Sequence, residues 1–495
     1  MQLDMLCLKF GEKEVNKRGG DMFERLKDIV RKLVSKILKK DLIEKKVNVE
    51  VAISNEMAKS IELWLQLYED KPPWLNEETQ TMGLPAAISR EIARLVTLEL
   101  DTEVIGNDYL NEQYQSVIDN VRNYTEFACA QGGLVFKPYI NQDEIAVDLV
   151  QADRFLPTSF DSKGKITGAV FTEFKQVGDK LYTRLEHHNI TDIGCYITNL
   201  AYVKENYNNS STTDFDLGKQ ISLKDIEDWS ELEAEVIITN VDKPLFSYFK
   251  MPLANHIDRN SPLGVSVYSR VIKDLEEADK QYSRVLWEYE GSELAEFVST
   301  DCFRKDSEGN PIIDHRKKRL YQTLDFETGE GTGTKPFETF SPEIRDSSLF
   351  NGLNQLLRKI EFKCGLAYGT ISDVQDEAKT ATEIKTSKQR SYSTVKDIQK
   401  ALQSSLEDLV EIMHIYTKLY KLPSSNYEMS FNWDDSLVMD KDAELQGMLN
   451  DVNSGILKAE IYLMKKYGLE SEEEARKMMP SYEPVSSTPF DNTVE

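Results

Sequence analysis

Apolar positions follow a helical period at both ends of the chain and a period of two in between. Residues 22–46 place Phe23, Leu26, Ile29, Val30, Leu33 and Ile37 on one side of a basic amphipathic helix, and its interspersed acids favour packing on the protein body over a membrane surface. A helix over 54–70 gathers Met57, Ile61, Trp64, Leu65 and Tyr68, and Lys71-Pro72-Pro73 ends it. Pro85 opens a helix through Leu100 with Ile88, Ile92, Leu95 and Val96 on one face, and another spans 109–131 up to Gly132-Gly133. The segments LVFKPYI, EIAVDLVQ, FLPTSF, KITGAVFTEFKQ, KLYTRLEHHNI and CYITNLAYV then alternate apolar and polar residues. They predict a mostly antiparallel sheet region over about 134–250, interrupted by a polar loop at 204–220.

Helical periodicity returns after residue 260. Ser261 reads as an N-cap and Pro262 as the first helical residue. Behind them Val271, Leu275, Ala278, Tyr282, Val285 and Tyr289 form a narrow coiled-coil-like seam on a helix of roughly 40 Å. Short strands and turns fill 294–340, around the Gly-rich ETGEGTGTKP. Asp346 reads as the cap of a second helix striped by Leu349, Leu353, Leu356 and Ile360. A polar segment, GLAYGTISDVQDEAKTATEI (365–384), separates it from a long helix over about 381–421. That helix is polar nearly all round until Val395, then carries Ile398, Leu402, Leu406, Leu409, Met413, Tyr416 and Tyr420. Short helices are predicted in 430–480 and disorder in 481–495.

Composition narrows the function. At 495 residues with 40% hydrophobic content the chain can hold several cores. The five cysteines form no CxxC pair and fit a reducing compartment. His187 and His188 point to opposite faces of a strand, which argues against a shared metal. A net charge of −25 argues against static DNA binding, though not against a surface that DNA must pass without sticking. There is no Walker A sequence, no GxSxG and no GxGxxG after a strand, so nothing marks an ATPase, hydrolase or dinucleotide enzyme. Residues 1–21 look unlike the remainder, and Arg18-Gly19-Gly20-Asp21 reads as a translated ribosome-binding site before a true start at Met22.

Several stretches in order resemble the portal proteins of tailed phages, in particular those of low-GC Gram-positive hosts. They are Leu84-Pro85-Ala86-Ala87-Ile88 with Glu91–Val96, Cys129–Tyr139, Val150–Phe155, Asn260-Ser261-Pro262-Leu263-Gly264 and Lys379-Thr380-Ala381-Thr382-Glu383. The likeness covers about 50–480.

The resemblance implies an α+β portal fold. Its parts are an N-terminal extension (1–21), an α/β wing (22–260), stem helix 1 (261–293), a small β clip (294–345), stem helix 2 (346–364), a tunnel loop (365–382), a long wing/crown helix (383–421), a helical crown (422–480) and a disordered tail (481–495). It further implies a ring, usually of twelve subunits, at one capsid vertex of the virion, assembled in the host cytoplasm. Double-stranded DNA would pass without sequence specificity, and the terminase large subunit, the head–tail adaptor, capsid and scaffold proteins would be partners. No membrane, cofactor, metal or catalytic residue is implied.

Asp373, Gln375, Asp376, Glu377, Lys379, Thr380, Lys385, Lys388 and Arg390 would then face DNA. His315, Arg316, Lys317, Lys318 and Arg319 in the clip would meet the terminase and adaptor. The 271–289 seam would join neighbouring subunits. The competing readings are a head–tail adaptor or minor capsid protein without a DNA-gating loop, and a nucleic-acid enzyme.

Overall fold

The computed structural model describes residues 40–141, 144–205, 217–299, 302–305, 320–324, 337–373, 381–433, 441–469 and 471–479. The expected helix over 22–46 lies mostly outside them, as do the proposed start at Met22, most of the polar loop at 204–220 and the tail after 480. The chain forms two compact units, residues 1–432 and 433–495, and its mixture of helices and largely antiparallel sheets is α+β.

The first unit opens with α1 (Lys40–Val47) and α2 (Asn55–Tyr68), the latter capped by Ser54, whose hydroxyl accepts from the Met57 N–H. Met57, Ile61, Trp64 and Leu67 form its buried face. Then come α3 (Leu84–Thr97), β1 (Leu100–Ile105), α4 (Asp108–Ile118) and α5 (Val121–Gln131). The helix expected over 109–131 is thus two. Asp119-Asn120, both weak helix formers, mark the break, and the turn lets Val117 and Val121 each reach the core.

The period-two segments are strands to within a residue of their expected ends: β2 (Gly133–Asn141), β3 (Glu144–Gln151), β4 (Phe155–Phe160), β5 (Ile166–Val177), β6 (Lys180–Thr191) and β7 (Gly194–Lys204). They divide between two sheets. One has the order β10-β2-β3, with β10 at Ser247–Lys250. The other runs β4-β5-β6-β7-β8, with β8 at Lys219–Ile221 and β9 (Glu235–Thr239) also paired to β7. Phe155, Phe171, Phe246 and Tyr248 fill the space between the sheets, with ring centroids 5.2–5.8 Å apart.

The next helix, α6 (Ile272–Gly291), starts eleven residues after Ser261 and spans 20 residues, ~30 Å rather than ~40 Å. Ser261 and Pro262 do not open it. Leu263, Val265, Val267 and Tyr268 are instead buried in an irregular segment against the end of α5, where the Val267 N–H donates to the Cys129 carbonyl at 3.0 Å. Tertiary burial overrides the local capping signal here.

Strands β11 (Ala295–Ser299), β12 (Tyr321–Leu324) and β13 (Phe337–Phe340) form a small sheet in the order β12-β11-β13. After α7 (Asp346–Cys364) comes α8 (Ala381–Leu419), 39 residues or roughly 58 Å long. Asp346 is the first residue of α7 rather than its cap, and its carboxylate accepts from the Ser347 N–H. The α8 stripe is buried as its spacing predicts, from Val395 through Tyr416, against β10, β2 and α3. Tyr420 lies beyond the helix and is exposed. Finally β14 (Glu428–Trp433) pairs with β1, a strand pair with no local sequence signal, and the Thr102 hydroxyl donates to the Ser430 carbonyl at 2.9 Å. Residues 422–432 of the expected crown therefore fold with the first unit.

In the second unit α9 (Lys441–Asn453), α10 (Ala459–Tyr467) and α11 (Glu472–Met478) pack in sequence, with Arg476 of α11 paired to Glu460 of α10 at 3.3 Å.

Candidate functional site

Helices α6 and α7 run antiparallel, held by charges at both ends of the pair. At one end Asp274 in the first turn of α6 takes Lys359 at 2.7 Å and Lys363 at 2.5 Å from the last turns of α7. Burial by itself would raise the Asp274 pKa, but the two lysines outweigh it and hold it below the usual carboxylate value. At the other end Arg345, just before α7, donates Nε at 3.0 Å and Nη2 at 2.7 Å to the two carboxylate oxygens of Glu288. The middle of α6 is crossed by residues 74–83. Trp74 Nε1 and the Met82 N–H donate to the buried Asp279 carboxylate at 2.9 and 2.8 Å, and the Gln80 N–H donates to Ser283 Oγ at 2.9 Å.

These contacts account for the seam. Val271, Leu275, Ala278 and Val285 are buried within the chain. Within one subunit the pair of α6 and α7 and the strap at 74–83 already cover these four positions. Tyr282 is half-buried, and Tyr289 is exposed beside Asp346. The outward face of α6 instead carries Lys273, Glu277, Arg284 and Trp287, the tryptophan 65% exposed.

Beyond α7 the chain turns sharply. Gly365 takes a left-handed φ of 75°, and a Cβ there would run into Thr394 Oγ1 of α8. Two polar residues on the buried face of α7 then hold the following loop. Glu361 accepts the backbone N–H groups of Gly369, Ile371 and Ser372 and the Ser372 hydroxyl, at 2.7–3.3 Å. Asn354 accepts the Asp373 N–H at 2.8 Å and donates to its carbonyl at 3.3 Å. On the α8 side, the Arg390 guanidinium lies 4.5 Å from the Phe362 ring centroid and 5.2 Å from that of Tyr368.

Of the expected DNA-facing residues, Asp373 is exposed at the end of this anchored stretch. Lys385 and Lys388 lie in the first turns of α8. Arg390 does not project freely, because its guanidinium is engaged with two aromatic rings. Gln375, Asp376, Glu377, Lys379 and Thr380 lie outside the described residues, as do His315, Arg316, Lys317, Lys318 and Arg319. Glu361 and Asn354 escaped the sequence reading. Their signal was present, as two polar residues seven apart on a face otherwise lined by Leu353, Leu357 and Ile360.

A second concentration of charge lies in the sheet region. Glu186 Oε2 pairs with Lys137 Nζ at 2.8 Å and Arg184 at 3.1 Å, while Oε1 meets His188 Nε2 at 2.7 Å. Burial alone would raise the Glu186 pKa, yet Lys137, His188 and Arg184 hold it well below the usual carboxylate range. His187 points elsewhere, to Thr158, and burial lowers its pKa to about 4, so it is neutral near pH 7. Among the described residues no group of three or more His, Cys, Asp or Glu is placed to hold a metal ion, and no helix is long and apolar enough to cross a membrane.

Three of the stretches that carry the resemblance, Cys129–Tyr139, Val150–Phe155 and Asn260–Gly264, meet in space. Gln131 Nε2 donates to Gln151 Oε1 at 2.9 Å, and Gln131 Oε1 accepts the Ala152 N–H at 3.0 Å. Gly132 and Gly264 lie backbone to backbone. Gln399 of α8 donates to the Val96 carbonyl at the end of α3. These motifs are therefore packing nodes of the first unit, and the channel-facing expectation falls on residues outside most of them.

Comparison with known proteins gives three results. The chain matches the family described as "Phage portal protein, SPP1 Gp6-like" over residues 91–479. Nothing among the curated proteins matches. Among solved structures, one similar chain is from the "Virion of native gene transfer agent (GTA) particle", at 10% identity and a TM-score of 0.45, covering 84% of this chain and 94% of that one. The family match spans most of the sequence: this chain belongs to the SPP1 Gp6-like phage portal protein family.

Proposed function

We propose that the protein forms a ring, probed first as a dodecamer, at one capsid vertex, whose axial channel passes double-stranded DNA during packaging and ejection. In this reading residues 22–260 are a wing, α6 and α7 a stem, the small β11–β13 sheet a clip that docks terminase and later the head–tail adaptor, 365–382 a tunnel loop, and 433–480 a crown. Family membership supports the portal role. The observation that carries the channel reading is the chain order of an antiparallel helix pair, a small sheet between its members, an anchored loop and a long helix. Negative-stain images of the purified protein test it, and rings with a central channel are expected. Particles without a channel would overturn it in favour of an adaptor or minor capsid protein.

Charge gives the channel its character. Each subunit carries −25, so a ring multiplies a field that repels phosphate. A few cations at the start of α8 would then make contacts weak enough to slide past. Lys379, Lys385 and Lys388 are assigned this role, while Arg390 is left out because it is stacked. Changing Lys379 and Lys385 together to glutamate is expected to lower the DNA packaged per particle several-fold while ring formation stays intact. Undiminished packaging would remove these lysines from the mechanism. The same assay reads alanine replacement across His315–Arg319, expected to weaken terminase-dependent packaging; full activity would refute docking there.

A further inference from the structure

The loop root is bound to its two flanking helices in different ways. Toward α7 the bonds are directional. Glu361 is 0% exposed. Its carboxylate gathers three backbone N–H groups and one hydroxyl from within four residues, a nest whose dipoles all converge on one charge. Asn354 lies seven residues earlier, about 10 Å along the helix. It pairs with both backbone groups of Asp373 as a strand neighbour would. The chain therefore folds back along α7 for about two turns, fixed at both ends of that run. Toward α8 the contact of Phe362 and Tyr368 with Arg390 is a cation–ring stack. Phe362 and Tyr368 are 55% and 39% exposed and take the flat Arg390 guanidinium at 4.5 and 5.2 Å. A stack of this kind tolerates lateral displacement, whereas hydrogen bonds to a buried carboxylate do not.

We infer that residues 366–373 are mechanically part of α7, that Glu361 is the positioning residue that makes them so, and that the Phe362–Arg390–Tyr368 stack is the surface on which this unit slides against α8. Any displacement of the loop root then travels into the α6–α7 pair and toward the β11–β13 sheet, and does not stay at the start of α8. The transport consequence rests on the channel reading above; the mechanical assignment does not.

The test is peptide-resolved amide hydrogen exchange on assembled full-length rings of wild type, Glu361→Gln, Asn354→Ala and Arg390→Ala. In the wild type, peptides within 366–373 should exchange as slowly as those of α7. Glu361→Gln keeps the side-chain size but places an amide donor among N–H donors. It should speed exchange of 369–373 ~10-fold or more, with α6, α8 and ring size unaltered. Asn354→Ala should act in the same direction and be confined to Asp373 and its neighbours. Arg390→Ala should leave the protection of 369–373 as it was. Unchanged exchange in both Glu361→Gln and Asn354→Ala, or lost protection in Arg390→Ala, overturns the mechanical assignment. Rings of Glu361→Gln should also package less DNA than wild type at equal ring yield. Faster exchange with undiminished packaging would overturn the transport consequence and leave the mechanical assignment standing. Wild-type rings that package no DNA at all would strike the channel reading and leave the exchange result standing.

Discussion

Replacing Glu186 with alanine lowers the stability of the chain by about 3–5 kcal/mol. The carboxylate is 12% exposed and is the shared partner of Lys137 from β2 and of Arg184 and His188 from β6. Removing it takes from the Lys137 ammonium, 9% exposed and over the Phe171 ring, the carboxylate it pairs with at 2.8 Å, and such a loss of the partner charge is what makes breaking a buried pair costly. Arg184 loses less, because Glu173 still holds it at 2.7 Å. Lys137→Met combined with Glu186→Leu should cost less than Glu186→Ala alone, since it removes both charges. Urea midpoints of the three proteins decide this, and a double variant as unstable as the single one would defeat the account.

The same group makes stability pH-dependent with a defined sign. The folded-state pKa lies below the unfolded value, which for glutamate is about 4.3. The contribution is therefore fully present above that value and is lost as pH falls through the depressed one. Glu186→Gln should show a shallower loss of stability than wild type as pH falls below about 4. Parallel curves would show that the carboxylate is not the titrating group.

Gly264→Ala is expected to be of similar severity. A Cβ built on Gly132 would lie 2.6 Å from the Gly264 carbonyl oxygen, and one built on Gly264 would approach the Gly132 oxygen more closely still. The obstacle on each side is backbone, so no rotamer change relieves it. Overpacking costs typically 1–3 kcal/mol, and more where nothing yields. Gly132→Ala adds a left-handed φ of 88°, about 1–2 kcal/mol for a residue with a side chain. The Met251 N–H donates to the Gly132 carbonyl at 3.1 Å and the Val267 N–H to that of Cys129 at 3.0 Å, so a shift here also opens the joint between α5, β10 and the segment leading to α6. Thermal unfolding of Gly264→Ala and of a control at Gly352 of α7, where φ is ordinary and an added Cβ meets only the Gln281 side-chain amide at 3.7 Å, separates the packing effect from loss of glycine as such. Equal behaviour of the two would refute it.

These positions show how much was legible beforehand. The strands from 133 to 204 follow from strict alternation, and the α8 stripe from 3/4 spacing, because both signals are local to the residues that carry them. The stretches that carry the resemblance include Gly132, Gly133 and Gly264, without indicating that Gly132 and Gly264 touch. The 271–289 seam was visible as a pattern, but its partner was not: α7 of the same chain and the strap at 74–83 cover most of it. Glu361 was read as one more acid in an acidic chain. Only its place beside a backbone that folds back on α7 makes it an anchor.

The sequence by itself determined the element types and their order, since periodicity and turn chemistry act over a few residues, and its short motifs carried the likeness to the portal family. The tertiary structure decided the pairing of β1 with β14, the start of α6 at Ile272 instead of Pro262, the single-chain burial of the seam, and the attachment of the loop root to α7. Each of these depends on groups far apart in the chain, and which buried polar groups find each other is set by the packing that brings them together, not by the spacing of either one alone.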